Sequence, residues 1–468
     1  MSLFLIIHQF ESEKERIFQE ASEKRTLILF DLDTEGTGGQ STKGIEYIRE
    51  ASGSDNADQL ELALLSHFFK IDEEIERAKQ LSDAYSLKGT EFVPISKERL
   101  RGGADQFVAG IKLVLLNRHR ETLIACAVAA IEEGNTKAVD ELQSVNVFTF
   151  EHLISGSSIV EGVWEPDTLF RIFNTLSRIE AREKARLDTK VHEVTDSMRK
   201  LWNVETPPSA KSASSAWKYT RNEMYEEGKY LNEHHAGIDL GDVFKSNNKY
   251  YILASQSCDL ILRRDGQRVR PGDEAIFIEV QLNEPKIRDN NFDHYFKLKC
   301  FLPDEDTPGW VALRKSFSIR LDVLDLCANT KDGNARISLT DDSPSFILDG
   351  QKKRYDKLKS DYEKAIQKYR GIDRVIGSLS KEVKDARDVI KGMRNKCVPN
   401  ASVAKTFEPK VDTASQTISY KLKRLWRLRQ PWAGELLSNF ASFRARAAFD
   451  HDFTRTLPTP QQNEPEQT

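Results

Sequence analysis

Cysteine is scarce in this chain. Five occur in 468 residues, at positions 126, 258, 300, 327 and 397, and the closest two lie 27 positions apart. No CxxC pair or Cys/His cluster is formed, so the sequence offers neither the ligand spacing of a zinc site nor the dense pairing of a disulfide framework. Long apolar runs are missing as well: the stretch 123–131 falls well short of the ~20 residues that cross a bilayer. The first seven residues have no basic start and no long apolar region, so no signal peptide is read, and we expect a cytoplasmic chain with no membrane partner. An excess of charge of one sign is also absent, since 69 Lys and Arg face 73 Asp and Glu for a net charge of -4. That balance gives no global pull toward nucleic acid or anionic lipid, so any such contact has to be local. No internal repeat is found.

What is present is enough apolar residue for several cores, 39% of the chain, beside 30% charged residues. A chain of this length divides into roughly three units of ordinary size. The first hundred residues alternate short apolar runs (3–7, 27–31, 60–66, 92–95) with amphipathic helices (11–21, 44–51, 72–85), the pattern of βαβ units around a parallel sheet. From about 105 to 204 the apolar residues repeat with helical period, as at Phe107, Ile111, Val114 and Leu115, interrupted by at most one strand at 145–150. The Pro/Ser/Ala stretch 207–215 reads as a linker. Period-2 runs and turn signals from 243 to 339, including 250–255, 260–264, 275–281, 294–301, 317–321 and 335–339, predict a small β-barrel or sandwich.

The expected fold class is therefore multidomain α/β + α + β. We divide it into an α/β domain at 1–102, a helical connector at 103–206, a linker at 207–229 and a β-rich, barrel-like module at 230–350. A helical hairpin or coiled-coil arm follows at 351–396, then a basic helical segment at 397–456 and a disordered tail at 457–468.

The chemistry-bearing residues of the first domain fall at strand ends. Asp31 closes Thr26-Leu27-Ile28-Leu29-Phe30, Ser66 closes Leu62-Ala63-Leu64-Leu65, and Lys97 follows Phe92-Val93-Pro94-Ile95-Ser96. Three successive strands thus carry a carboxylate, a hydroxyl and an ammonium to one edge of the sheet, where ligands of open α/β sheets bind. An acyl-phosphate site needs a carboxylate nucleophile, a divalent cation, and a hydroxyl and a lysine to hold the phosphoryl oxygens, and the strand ends supply all of these but the cation.

On these residues, the first hundred or so positions resemble a response-regulator receiver domain, which has a flavodoxin-like sheet. The resemblance implies phosphoryl acceptance at Asp31 from a histidine kinase or kinase-like partner, reorientation of Ser66 and pairing of Lys97 with the phosphate. It also implies a Mg²⁺ ion, for which Asp31 and Asp33 are the candidate ligands, although His8-Gln9 stands after the first strand where receivers carry an acidic pair. Receivers joined to unusual output regions resemble those of bacterial conflict systems, which places antiphage defence among the expectations. Whether the chain is an enzyme is left open. The string Phe30-Asp31-Leu32-Asp33-Thr34 also resembles the nucleophile loop of haloacid-dehalogenase-type phosphatases, and the plain alternative is that these are ordinary strand-end residues.

Two further features carry weaker readings. Cys258, preceded by His234 and His235, invites a nucleophile reading, but a packed strand thiol is the better expectation. Tyr420 to Arg429 places five cations among aromatic and aliphatic residues. Read as a helix, this segment makes Lys421, Lys423, Arg424 and Arg427 candidates for nucleic-acid contact, set against the plainer reading of an amphipathic helix docked on the β module. An effector that binds or cuts nucleic acid is the alternative function.

Overall fold

The computed structural model describes residues 2–6, 10–32, 43–55, 57–85, 92–156, 159–160, 162–201, 216–269, 274–285, 294–346, 348–378, 407 and 409–446. The expected linker at 207–215, the end of the expected arm, the tail at 457–468 and Asp33 lie outside these residues. The chain divides into two compact units, one of residues 1–150 and 169–214, the other of 151–168 and 215–468.

The first unit is built on a four-stranded parallel sheet of β1 (Ser2–Ile6), β2 (Thr26–Asp31), β3 (Leu60–Ser66) and β4 (Val93–Ser96), in that order across the sheet. The runs are continuous in apolar residues because both faces are covered, as parallel sheets require. The strand order is sequential and has no reversal, so right-handed crossovers deliver the connecting helices to one face. There Phe10, Ile17 and Ala21 of helix Phe10–Glu23 and Ile45 and Ile48 of helix Lys43–Ser52 bury Ile28, Phe30, Leu62 and Leu64. The alternate residues Leu27, Leu29, Ala63 and Leu65 face the other way, and Val114, Phe107 and Ile111 of the long helix Ala104–Ser144 close over them.

The helical region expected as a separate connector thus starts as the second lid of the N-terminal core. No strand interrupts it at 145–150, where Val147–Glu151 is helical. Its later turns pack helix on helix: a Cβ added at Gly134 would lie 2.5 Å from the Ser177 carbonyl oxygen and 2.9 Å from the Ala181 nitrogen. Gly134→Ala should therefore separate the two backbones and cost about 1–3 kcal/mol, read as a lowered thermal midpoint with unchanged helix content at low temperature.

The second unit holds an antiparallel sheet of nine strands. They are β5 (Tyr225–Glu227), β6 (Asp242–Ser246), β7 (Lys249–Leu253), β8 (Glu274–Gln281), β9 (Tyr295–Leu298), β10 (Gly309–Arg320), β11 (Asn334–Ser338), β12 (Lys410–Asp412) and β13 (Thr417–Leu428). The order runs β11-β13-β6-β7-β8-β10-β9, with β12 and β5 also on β13. Helices Leu321–Ala328 and Asp349–Ser378 cover one face, around Phe244, Tyr251, Phe277 and Tyr420. Helix Trp432–Arg446 covers the other, around Val243, Ile252, Ile278 and Trp426.

Three local expectations are corrected here. Residues 260–264 are not a strand, because Ser257–Leu260 closes a short helical turn. The charged helix expected as an arm is a core helix over its described length: Tyr355, Leu358, Tyr362, Ala365 and Ile366 are buried against the sheet, and the Tyr362 and Tyr420 hydroxyls meet at 3.2 Å. The basic segment 417–428 is a strand rather than a helix, with Ile418, Tyr420, Leu422, Arg424, Trp426 and Leu428 buried at alternate positions.

Candidate functional site

Parallel register sets the carboxyl edge of the first sheet. Asp31 lies opposite Leu65, and Ser66 opposite Ser96, so the ends of β2, β3 and β4 finish at nearly one level. Backbone bonds hold the chain there as it leaves the sheet: Leu32 N–H donates to the Leu65 carbonyl at 2.9 Å, and Lys97 N–H to the Ser66 carbonyl at 2.7 Å. Beneath this edge, Gly44 lets helix Lys43–Ser52 approach closely, since a Cβ at that position would sit 2.5 Å from the Asp31 carbonyl oxygen.

Asp31 is 6% exposed, and Lys97 Nζ donates to its Oδ2 at 2.6 Å with the lysine side chain 24% exposed. Carboxylate and ammonium therefore meet across the 66 positions between them, as the strand-end reading requires. Ser66 is fully buried at the next strand end, but its Oγ accepts the Phe68 N–H at 3.0 Å in the loop that follows. It is brought to the edge without being turned onto the Asp31–Lys97 pair. Strand alternation explains this, because Ser66 shares the face of Leu62 and Leu64 while Asp31 shares that of Leu27 and Leu29.

The loops of this edge are braced by residues that the strand-end reading missed. Glu74, at the start of helix Glu74–Tyr85, receives both Arg99 Nε and Arg99 Nη2 at 2.8 Å, a buried bidentate pair with side chains 7% and 4% exposed. The same carboxylate accepts the Ser96 N–H at 2.8 Å, and Ser96 Oγ donates to the Phe69 carbonyl at 2.7 Å. Lys97 is thus bracketed by two residues fastened to one glutamate. The pair lies 25 positions apart, and nothing in either local sequence announces it.

Among the described residues, no group of three His, Cys, Asp or Glu side chains comes together as a metal site. The donors described at this edge do not by themselves make a Mg²⁺ centre, and no step below runs through a metal.

The remaining candidates separate. Lys421 and Lys423 are exposed on β13, but Arg424 is completely buried and Arg427 is bonded inward. Both arginines hold Asp242, itself fully buried: Arg427 Nε donates to Oδ1 at 2.7 Å and Arg424 Nη2 lies 3.0 Å from Oδ2. Burial works against the charge on both. It lowers Arg424, whereas Asp242 more than offsets it and raises Arg427. Neither arginine is presented to a nucleic acid. Cys258 is exposed on its short helix with Sγ 3.6 Å from Gln256 Oε1, which corrects the expectation of a packed strand thiol. His235 is buried, and its Nδ1 pairs with the Ala328 carbonyl at 3.0 Å.

Comparison with protein-family models, with curated proteins and with solved structures finds no match for this chain. No helix among the described residues is long and apolar enough to cross a membrane.

Proposed function

We propose that the first unit is a receiver-like signalling domain in which Asp31 accepts a phosphoryl group and thereby controls the second unit. The observation that carries this reading is the buried Asp31 carboxylate meeting Lys97 Nζ at 2.6 Å at the carboxyl edge of a parallel sheet. The donor is a phosphohistidine on a histidine kinase or kinase-like partner. As an Asp31 oxygen bonds to phosphorus, the P–N bond of the donor breaks and the imidazole, protonated on its other nitrogen, leaves neutral. Lys97 neutralises charge on the phosphoryl oxygens as it does now on the carboxylate. Ser66, fully buried and accepting the Phe68 N–H on the opposite face of the sheet, anchors the loop after β3 rather than contacting the phosphoryl group.

The same contacts supply a route out of the site. Lys97 moves with Ser96 and Arg99, which are tied through Glu74 to helix Glu74–Tyr85. Arg99 Nη1 also reaches the Gln106 carbonyl at 3.5 Å, at the start of the long helix Ala104–Ser144. A shift of Lys97 toward a phosphoryl group therefore pulls on two helices at once. The sequential strand order lacks the reversal of a flavodoxin-type sheet, so the likeness to receivers is carried by the strand-end residues. Antiphage defence is a context in which such a protein would operate.

Incubation with acetyl phosphate or a phosphorylated kinase, with and without Mg²⁺, tests the reading. Intact-mass analysis should show one added phosphoryl group, lost on brief hydroxylamine treatment and absent from Asp31→Asn. Lys97→Ala should still fold and label at least about tenfold more slowly, since one positioned charge is worth a factor of this order or more. Labelling that persists in Asp31→Asn, or no labelling from any donor, would remove the proposal.

A further inference from the structure

One face of the second unit's sheet is cationic where its apolar cover ends. Alternation along β13 buries Ile418, Tyr420 and Leu422 and leaves Lys421 and Lys423 exposed on the opposite face. Cross-strand register adds to them. Lys423 stands directly opposite Lys245 of β6, and Ser419 lies opposite both Arg336 of β11 and Lys410 of β12. Residues opposite one another in an antiparallel ladder project from the same face, so five cations from four strands share one surface. Arg336, Lys410, Lys421 and Lys423 are exposed, and Lys245 is half-buried with its Nζ 5.2 Å from the Tyr250 ring centre. Among the described residues, acidic groups on or beside this surface include Asp412, opposite Thr417, Asp332, 3.2 Å from Arg336, and Glu227, opposite Trp426.

The pairing of Lys423 with Lys245 is the informative feature. Two like charges placed directly opposite destabilise a sheet, and among the described residues no exposed large hydrophobic side chain lies on β6, β11, β12 or β13. Side chains two positions apart on a strand are about 6.6 Å apart, comparable to the separation of successive phosphates along one nucleic-acid strand. We propose that this face, formed by Lys245, Arg336, Lys410, Lys421 and Lys423, binds the phosphodiester backbone of a nucleic acid. The contact is electrostatic and independent of sequence, with the hydroxyl of Ser419 lying between Arg336 and Lys410. Bound phosphate relieves the Lys423–Lys245 repulsion, so binding and sheet stability are linked. The proposal does not depend on phosphorylation of Asp31.

The test uses the full chain and two fluorescently labelled probes of mixed sequence, a single-stranded RNA and a duplex DNA, followed by anisotropy. At least one should bind, with affinity falling steeply between about 50 mM and 200 mM NaCl. Lys421→Glu with Lys423→Glu should weaken binding at least about tenfold and flatten the logarithmic salt dependence by about two units. The charge-matched pair Lys357→Glu with Lys368→Glu, on exposed positions of helix Asp349–Ser378, should stay within about twofold of the unaltered protein because it leaves these phosphate contacts intact. Lys423→Gln serves as the folding control: it should raise the melting temperature of the free protein while weakening binding, a combination a purely structural lysine would not give. Absence of binding at low salt, or equal weakening by the two double variants, would overturn the proposal. So would binding to phosphatidylserine vesicles without binding to either oligonucleotide, which would assign the face to lipid.

Discussion

Asp242→Ala is expected to destabilise the second unit by about 4 kcal/mol, the cost of leaving buried charge uncompensated. Asp242 and Arg424 are both completely buried, and the Arg427 side chain is 16% exposed. The carboxylate is shared between the two guanidinium groups and also accepts the Asp239 N–H at 3.0 Å. Without it, Arg424 keeps the Ala236 and Gly237 carbonyls at 2.7 and 3.1 Å, and Arg427 keeps Gly237 at 2.5 Å. Those bonds hold the donors but not the charge. Two cations would then face each other across one wall of the core. Replacing the cluster as a whole, with Asp242→Leu, Arg424→Met and Arg427→Leu together, should cost less than removing the acid alone, because apolar side chains of similar volume need no counter-charge. Trp310 and Trp426 are buried in this unit, so tryptophan fluorescence during urea unfolding reads it directly. A loss under about 1 kcal/mol for Asp242→Ala, the range of an exposed pair, would show that water reaches the cluster.

The same cluster explains what the sequence hides. The N-terminal sheet was legible because each of its strands is an apolar run ended by one polar residue, and a strand end can be located within a residue or two. Asp31 and Lys97 follow from that directly. In β13 the period-2 signal is broken twice. Arg424 occupies a buried position that the pattern expects to be apolar, and the ladder with β6 shifts register between Arg424 and Trp426. The shift moves Trp426 and Leu428 to the face opposite Tyr420 and Leu422. Leu422, Leu425, Trp426 and Arg429 then fall at helical spacing by accident of the bulge, which on a helix leaves Lys423, Arg424 and Arg427 nearer the other face. Similarly, helix Asp349–Ser378 is so rich in charge that its buried stripe of Tyr355, Leu358, Tyr362 and Ile366 passes for the seam of an isolated arm. Contacts made over long separations, such as Glu74 with Arg99 and Asp242 with Arg424, carry no local signal at all.

Glu61→Gln should stabilise the first unit above neutral pH and flatten its pH dependence. Glu61 is 3% exposed on β3, opposite Leu27 and on the face that the long helix Ala104–Ser144 covers. Burial pushes its carboxyl from 4.5 up to about 8, although the Arg118 and Arg25 charges pull the other way. On that helix His119 is also buried, its Nδ1 has no hydrogen-bond partner, and burial and Arg25 hold it below the ordinary histidine value. At neutral pH this layer therefore favours a neutral glutamic acid, while the unfolded chain carries a carboxylate. The sign follows from the raised folded value: the contribution to stability is complete below about pH 4.5 and is lost as pH rises through about 8. At about 1.4 kcal/mol per pH unit across that window, the loss is on the order of 5 kcal/mol, which glutamine, neutral at every pH, does not incur. Hydrogen exchange of peptides from β2 and β3, corrected for the intrinsic rate, should show protection falling from pH 5 to pH 8 in the unaltered chain. In Glu61→Gln it should stay level. Level protection in both proteins would mean that the guanidinium groups of Arg25 and Arg118 already keep Glu61 ionised. The layer beneath the long helix would then be a salt-bridged one, insensitive to pH in this range.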